Sequence, residues 1–161
     1  MSNPGQPTIR IGDSGSVVLR AQRALRRTPN LGVELDGKFG PHTESAVKDF
    51  QADSRLEVDG VVGPHTWHAL PDGGPMPLLK EGADGDVVHD LQRVLSEGKD
   101  DWGTLPGPID GKFGPKTRAS VEAFQRWGHV EVDGVVGDHT WAVPLHAMNA
   151  TLETAVGLKY V

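Results

Sequence analysis

Residues 36–70 align without a gap against residues 110–144, and 20 of these 35 positions are identical. A match of that length means the chain is built twice, and any fold assigned to it must repeat. Upstream, Gly12 pairs with Gly82, Gln22 with Gln92 and Leu25 with Leu95, at an offset of 70 instead of 74. The second copy therefore carries a four-residue insertion between Leu95 and Asp110. Two modules follow, 8–70 and 78–145. Residues 1–7 are expected to be disordered, and 146–161 form a C-terminal tail. The connector 71–77 reads Pro71-Asp-Gly-Gly-Pro-Met-Pro77 and is expected to be semi-rigid.

A shorter repeat lies inside each module. Asp36-Gly-Lys-Phe-Gly-Pro-His-Thr43 returns as Asp59-Gly-Val-Val-Gly-Pro-His-Thr66, and the second module has the same pair at 110–117 and 133–140. Asp-Gly makes a tight turn, since Asp bonds neighbouring backbone and Gly accepts positive φ. The apolar residue after it is an inward anchor, and Pro is preorganised for a first helical turn. Each box thus reads as a loop that launches a helix. It lacks the Lys-Ser/Thr ending of a phosphate-binding loop.

The helices follow from periodicity. Val18, Ala21, Gln22 and Leu25 form one helical stripe, as do Val88, Leu91, Gln92 and Leu95, with Ser14 and Asp84 as expected N-caps. A second helix over 41–54 buries Val47 and Phe50, and its copy buries Val121 and Phe124. A short third helix begins near Pro64 and Asp138 and carries Trp67 and Trp141. The fold class is all-α, two tandem three-helix modules with Gly-rich turns. Gln22 and Gln92, lying on apolar stripes, are read as buried amides that satisfy loop backbone.

Composition excludes several classes. Acidic residues number 22 against 16 basic, a net charge of −6, which argues against a nucleic-acid partner. With no cysteine there is no disulfide, thiolate nucleophile or zinc–thiolate site. No apolar run is long enough to span a membrane. Met1–Pro7 has neither a basic n-region nor an apolar h-region, so no secretory signal is expected.

The joint pattern of Leu91-Gln92, Asp36-Gly-Lys-Phe-Gly40 with Thr43, Phe50-Gln51, and Val58-Asp-Gly-Val-Val-Gly-Pro-His-Thr-Trp67, repeated at 110–117, 124–125 and 132–141, resembles the small three-helix peptidoglycan-binding domain of bacterial and phage wall hydrolases. The resemblance covers about four-fifths of the chain. It implies non-covalent binding to glycan strand or stem peptide, with no chemistry by the module itself, and a location in the cell wall or outside the cell after lysis, particle assembly or non-classical export. Ala21 is smaller than the Leu usual in the family.

Enzymatic readings find little support. His65 and His68 are one helical turn apart, but no third ligand lies nearby and module 2 has Ala142 in place of His68. Glu57 and Glu131 repeat like scaffold residues, and no Gly-x-Ser-x-Gly elbow occurs. No cofactor or metal is called for. The expected function is bivalent, non-catalytic wall binding. The alternative is a structural or adaptor protein of a phage or injection-type particle, docking a protein partner through the tail; the apolar residues of 147–156 suit packing on module 2, the expected arrangement, or on a partner. A reduced wall hydrolase is the third reading.

The modules differ in charge, net 0 over 8–70 and −5 over 78–145. Arg20, Arg23 and Arg27 share one helical face, and Asp86 and Asp90 lie on the corresponding helix; these faces are expected to bias module orientation. Two tryptophans break the repeat. Trp102 falls in the inserted loop, and Trp127 stands where module 1 has Asp53. An indole can stack on a sugar ring, and added loops carry function on fixed scaffolds. Trp102 and Trp127 are therefore the first candidate ligand contacts, with Lys112 and Phe113 next, and Lys38 and Phe39 as their module 1 counterparts. Module 2 is expected to hold the principal site.

Overall fold

The computed structural model describes residues 3–28, 33–145 and 150–157. The described residues divide into two units, up to residue 75 and from residue 76 onward. In the first, helices α1 (Ser16–Arg26), α2 (Pro41–Asp53) and α3 (Pro64–Ala69) enclose the core. In the second, α4 (Asp86–Glu97), α6 (Pro115–Trp127) and α7 (Asp138–Trp141) repeat that arrangement, with a short α5 (Lys99–Trp102) in the insertion. The periodic stripes are the buried ones: Val18, Ala21, Gln22 and Leu25, and Val88, Leu91, Gln92 and Leu95 are each at most 1% exposed. The fold is helical and tandem, as the periodicity implies.

The helix entries differ from expectation. Gly15 and Gly85 occupy the N-cap positions of α1 and α4 at φ 119° and 117°, without a side-chain cap bond. Ser14 and Asp84 are not caps; they form antiparallel bridges with Lys38 and Lys112. The positive φ turns the preceding backbone onto the box, where Gly15 N–H donates to Gly37 O at 2.8 Å and Phe39 N–H to Asp13 O at 2.9 Å. A Cβ on Gly111 would lie 3.1 Å from Gly85 O, so the close approach also requires glycine there.

One further expectation is corrected. Residues 3–7 are not disordered: Asn3 is 2% exposed, its amide donates to Pro71 O at 2.9 Å, and Pro7 O accepts from the Trp67 indole at 2.9 Å. Part of the connector is held by its own unit. Asp72 pairs with Arg20 at 3.0 Å, Gly73 N–H donates to Asn3 Oδ1 at 3.0 Å, and Arg27 donates to Asp72 O and to Gly74 O, the latter at 2.7 Å. Arg23 also donates to Gly73 O, at 3.4 Å. The arginine face of α1 is thus engaged by 72–74 of its own unit.

The tail, where described, packs on module 2. Strand β1 (Pro144–Leu145) pairs antiparallel with β2 (Ala150–Thr151), and α8 (Leu152–Val156) follows. Leu152 and Val156 are 0% and 3% exposed, and Arg93 of α4 donates to Ala155 O at 3.3 Å. Helix α8 packs on α4 and α7, in agreement with the expected packing of the tail on module 2. Residues 146–149 and 158–161 lie outside the described residues.

Candidate functional site

Each Asp-Gly box closes around one buried glutamine. Gln92 of α4 donates from Nε2 to Asp110 Oδ1 (3.2 Å), Lys112 O (2.9 Å) and Thr117 Oγ1 (3.0 Å), while its Oε1 accepts from the N–H of Asp110 and Gly111 at 3.0 and 2.9 Å. Gln22 does the same for Asp36, Lys38, Thr43 and Gly37. The reading of Gln22 and Gln92 as loop-satisfying amides agrees with this geometry. Gln51 and Gln125, on α2 and α6, serve the second boxes identically, at Asp59 to Thr66 and Asp133 to Thr140. Their role was missed. The available signal was that every box in the repeat has a glutamine on the preceding helix.

The four box aspartates share one electrostatic environment. Asp110 is held below its ordinary carboxylate value of 3.8 first by the Lys112 backbone N–H and then by the Gln92 amide. Asp36, Asp59 and Asp133 are lowered for the same two reasons, with Lys38 and Gln22, Val61 and Gln51, and Val135 and Gln125 as donors. Stabilised anions of this kind hold turns. The direction is opposite to that required of a general acid.

On this frame the insertion builds a groove of about 420 Å³. It is lined by Pro106 and Pro108 of the inserted loop and by Gln92, Asp110, Lys112, Gly114, Pro115, Lys116 and Thr117. The loop is tied along α6: Thr117 Oγ1 donates to Pro106 O at 3.0 Å and Ser120 Oγ to Thr104 O at 2.7 Å. Module 1 has Ala46 where Ser120 stands and cannot make the second bond. An adjoining groove of about 410 Å³ is lined by Asp84, Gly85, Asp86 and His89 and shares Asp110 and Lys112 with the first.

The structure brings only some of the sequence-derived candidates here. Lys112 is exposed and lines both grooves. Phe113 and Phe39 are each 2% exposed, core anchors with no free face, and their nomination as ligand contacts is corrected. Lys38 is exposed on the module 1 box. Trp102 and Trp127 are half-buried at the other end of α6, roughly 15 Å from its first turn at 1.5 Å per residue. They meet edge-to-face at 5.2 Å, and Trp102 meets Phe124 the same way at 4.8 Å. The Trp102 indole N–H donates to Leu95 O at 3.0 Å, so that polar handle is engaged. His65 and His68 are exposed on α3.

Comparison with known proteins follows this division of the chain. The family model described as "Putative peptidoglycan binding domain" matches residues 14–70 and 84–143. N-acetylmuramoyl-L-alanine amidase CwlL of Bacillus licheniformis is 31% identical over 136 residues, 81% of this chain and 36% of that protein. An uncharacterized protein of Kitasatospora aureofaciens is 42% identical over 67 residues, 41% of this chain and 53% of its own length. The chain thus spans between about a third and a half of these relatives. Among solved structures, the SleB N-terminal domain is 33% identical, covering 40% of this chain and 88% of that one with a TM-score of 0.38. The Burkholderia AP3 phage endolysin is 28% identical, covering 74% and 38%, with a TM-score of 0.39. With both repeats matched over most of their length, this chain belongs to the peptidoglycan-binding domain family, in two tandem copies.

Proposed function

We propose that the chain binds bacterial peptidoglycan without cleaving it, using both modules on one polymer, with module 2 as the stronger site. The observation that carries this reading is the pair of family matches at 14–70 and 84–143, which together occupy most of the chain. The lowered box aspartates, each held by its own turn, favour a binding role over acid catalysis. The stronger site is placed in module 2 because its inserted loop brings Pro106 and Pro108 to a groove beside Lys112. With net charge −6, attraction to anionic wall polymers is not the driving force, and shape and local hydrogen bonds do the recognition. No helix of the described residues is long and apolar enough to cross a membrane. The adaptor reading has less support at the tail, because Thr151, Leu152, Glu153 and Val156 are buried.

The test is co-sedimentation with purified sacculi. The full chain pellets with them, and short soluble muropeptides compete weakly because linked sites gain about 10²–10⁴ from avidity on a polymer. Sacculus turbidity stays constant with and without added zinc. A chain that stays in the supernatant with sacculi from several bacterial types is not a wall binder, and a falling turbidity refutes the non-catalytic reading.

A further inference from the structure

The two grooves of module 2 carry opposite charge on either side of Lys112. The first is lined by Lys112 and Lys116 against the single carboxylate of Asp110, together with Pro106 and Pro108; the second is lined by Asp84, Asp86 and Asp110 against Lys112. Lys116 is seated against the inserted loop. A Cβ on Gly107 would lie 3.1 Å from its Cβ and Cδ, so its stem runs over that glycine, at φ 85°, where other residues are strained. The same loop exposes apolar surface, with Leu105 55% and Ile109 43% exposed. No Phe, Tyr or Trp is among the residues lining either groove. Phe113 and Trp141 are buried, and Trp102 and Trp127 pack on each other at the far end of α6.

A neutral sugar is bound by flat aromatic faces and dense hydrogen bonding, and the aromatic half of that chemistry is missing here. A zwitterion with small apolar side chains matches what is present. Resting on the wall-binding reading above, we infer that module 2 recognises the stem peptide and not the glycan. The peptide's terminal carboxylate lies between Lys112 and Lys116, its small side chains lie against Pro106 and Pro108, and the free amine of its diamino residue lies toward Asp84 and Asp86. Charge-assisted contacts of this kind supply orientation as well as affinity. Module 1 has His42 where Lys116 stands and Ser16 where Asp86 stands, so this specificity belongs to module 2.

The experiment titrates the isotope-labelled full chain with three soluble probes. One is an N-acetylated stem peptide ending in D-alanine, with free carboxylate and free side-chain amine. The second is the same peptide amidated at its terminus, and the third is an N-acetylglucosamine oligomer. The free peptide is expected to shift the amides of residues 110–117. Amidation should weaken binding about tenfold, and K116Q should do the same while leaving Tm unchanged, because Lys116 is exposed. D84N with D86N should weaken the free peptide more than a version acetylated on its side-chain amine. The inference is overturned if the oligomer moves these amides and the peptide does not, if peptide shifts map elsewhere, or if amidation and K116Q change nothing. Sacculus co-sedimentation of the same wild-type sample separates the two levels. Pelleting without peptide binding removes the stem-peptide assignment alone, and failure to pellet removes the wall-binding reading with it.

Discussion

Phe50 and Phe124 hold equivalent positions on α2 and α6, yet Phe124 is fully buried and Phe50 is only partly so. The difference lies in what covers them. Trp102 from the insertion and Trp127 from the end of α6 close over Phe124, with ring centroids 4.8 and 5.8 Å away, whereas module 1 has Asp53 in place of Trp127. Four extra residues therefore do two things in module 2. They bring an indole that seals the core at one end of α6, and they carry Pro106 and Pro108 to the other end, where the groove lies. The boxes beneath are the same in both modules. Shared residues make the scaffold and part of the groove, and the residues that break the repeat add Pro106, Pro108 and Lys116 to it and the two indoles to the core.

The largest expected effect tests the shared part. Gln92→Ala leaves the Asp110 and Gly111 N–H groups and the Lys112 carbonyl without their partner, and Gln22→Ala does the equivalent at Gly37 and Lys38. An unsatisfied buried polar group costs about 1–3 kcal/mol, so each variant should lose on the order of 3 kcal/mol, enough to unfold a module of this size. Denaturant unfolding with amide exchange shows which unit opens. If one of the two variants is as stable as the parent, the boxes are not equivalent.

Next comes the part that differs. Trp102→Ala should cost about 2–3 kcal/mol, below the range of a fully buried aromatic because the ring is half-exposed, and it should loosen the loop that walls the groove. Trp102 is on this account a positioning residue. Its variant should weaken muropeptide binding while the parent affinity returns in Trp102→Phe, which keeps a ring over Phe124. Trp102→Ala protein that is fully folded but does not bind, with Phe failing to rescue it, would restore the indole as a direct contact.

A smaller effect is spread over four carboxylates. Asp36, Asp59, Asp110 and Asp133 have folded pKa values below 3.8, so the stability they contribute is fully present above that value. It is lost as pH falls from there through the lowered folded values. Denaturant midpoints between pH 5 and 2 should fall, and the slope should decrease with Asp110→Asn by the same amount as with Asp36→Asn. Unequal slopes would show that the grooves beside Asp110 alter its role.

The scaffold was legible because repetition exposes it: the boxes, three helices per module and the Gln22 and Gln92 stripes all follow from spacing. Its errors share one cause, chain segments that return to a module from a distance. Ser14 and Asp84 look like caps because a polar residue precedes a helix, but Gly15 and Gly85 turn the backbone onto Lys38 and Lys112. Arg20, Arg23 and Arg27 read as a charged face that biases module orientation because nothing in α1 reveals that residues 72–74 lie on it. The candidate site was half legible. Lys112 came from its place in the box, whereas Pro106, Pro108 and Lys116 carry no signal until the insertion is threaded along α6 by Thr117 and Ser120.

The smallest expected effect is a gain, and it measures how alike the two scaffolds are. Arg55 and His129 are equivalent residues just past α2 and α6, and both have left-handed backbone, φ 59° and 58°. Each sits in a paired-bond helix ending: Leu56 N–H donates to Gln51 O and Arg55 N–H to Ala52 O, matched by Val130 to Gln125 O and His129 to Arg126 O. That position favours glycine, since a Cβ in the left-handed region costs roughly 1–2 kcal/mol. Glycine also gives the unfolded chain more freedom, which offsets about 0.5–1 kcal/mol. Arg55→Gly and His129→Gly should therefore each stabilise by about 0.5 kcal/mol, and the gains should add because the sites lie in different units. Equal gains mean that the insertion and its tryptophans leave the α6 ending as it is in α2. A gain at Arg55 without one at His129 would mean that Trp127, two residues before, holds its chain by side-chain packing as well as by the turn.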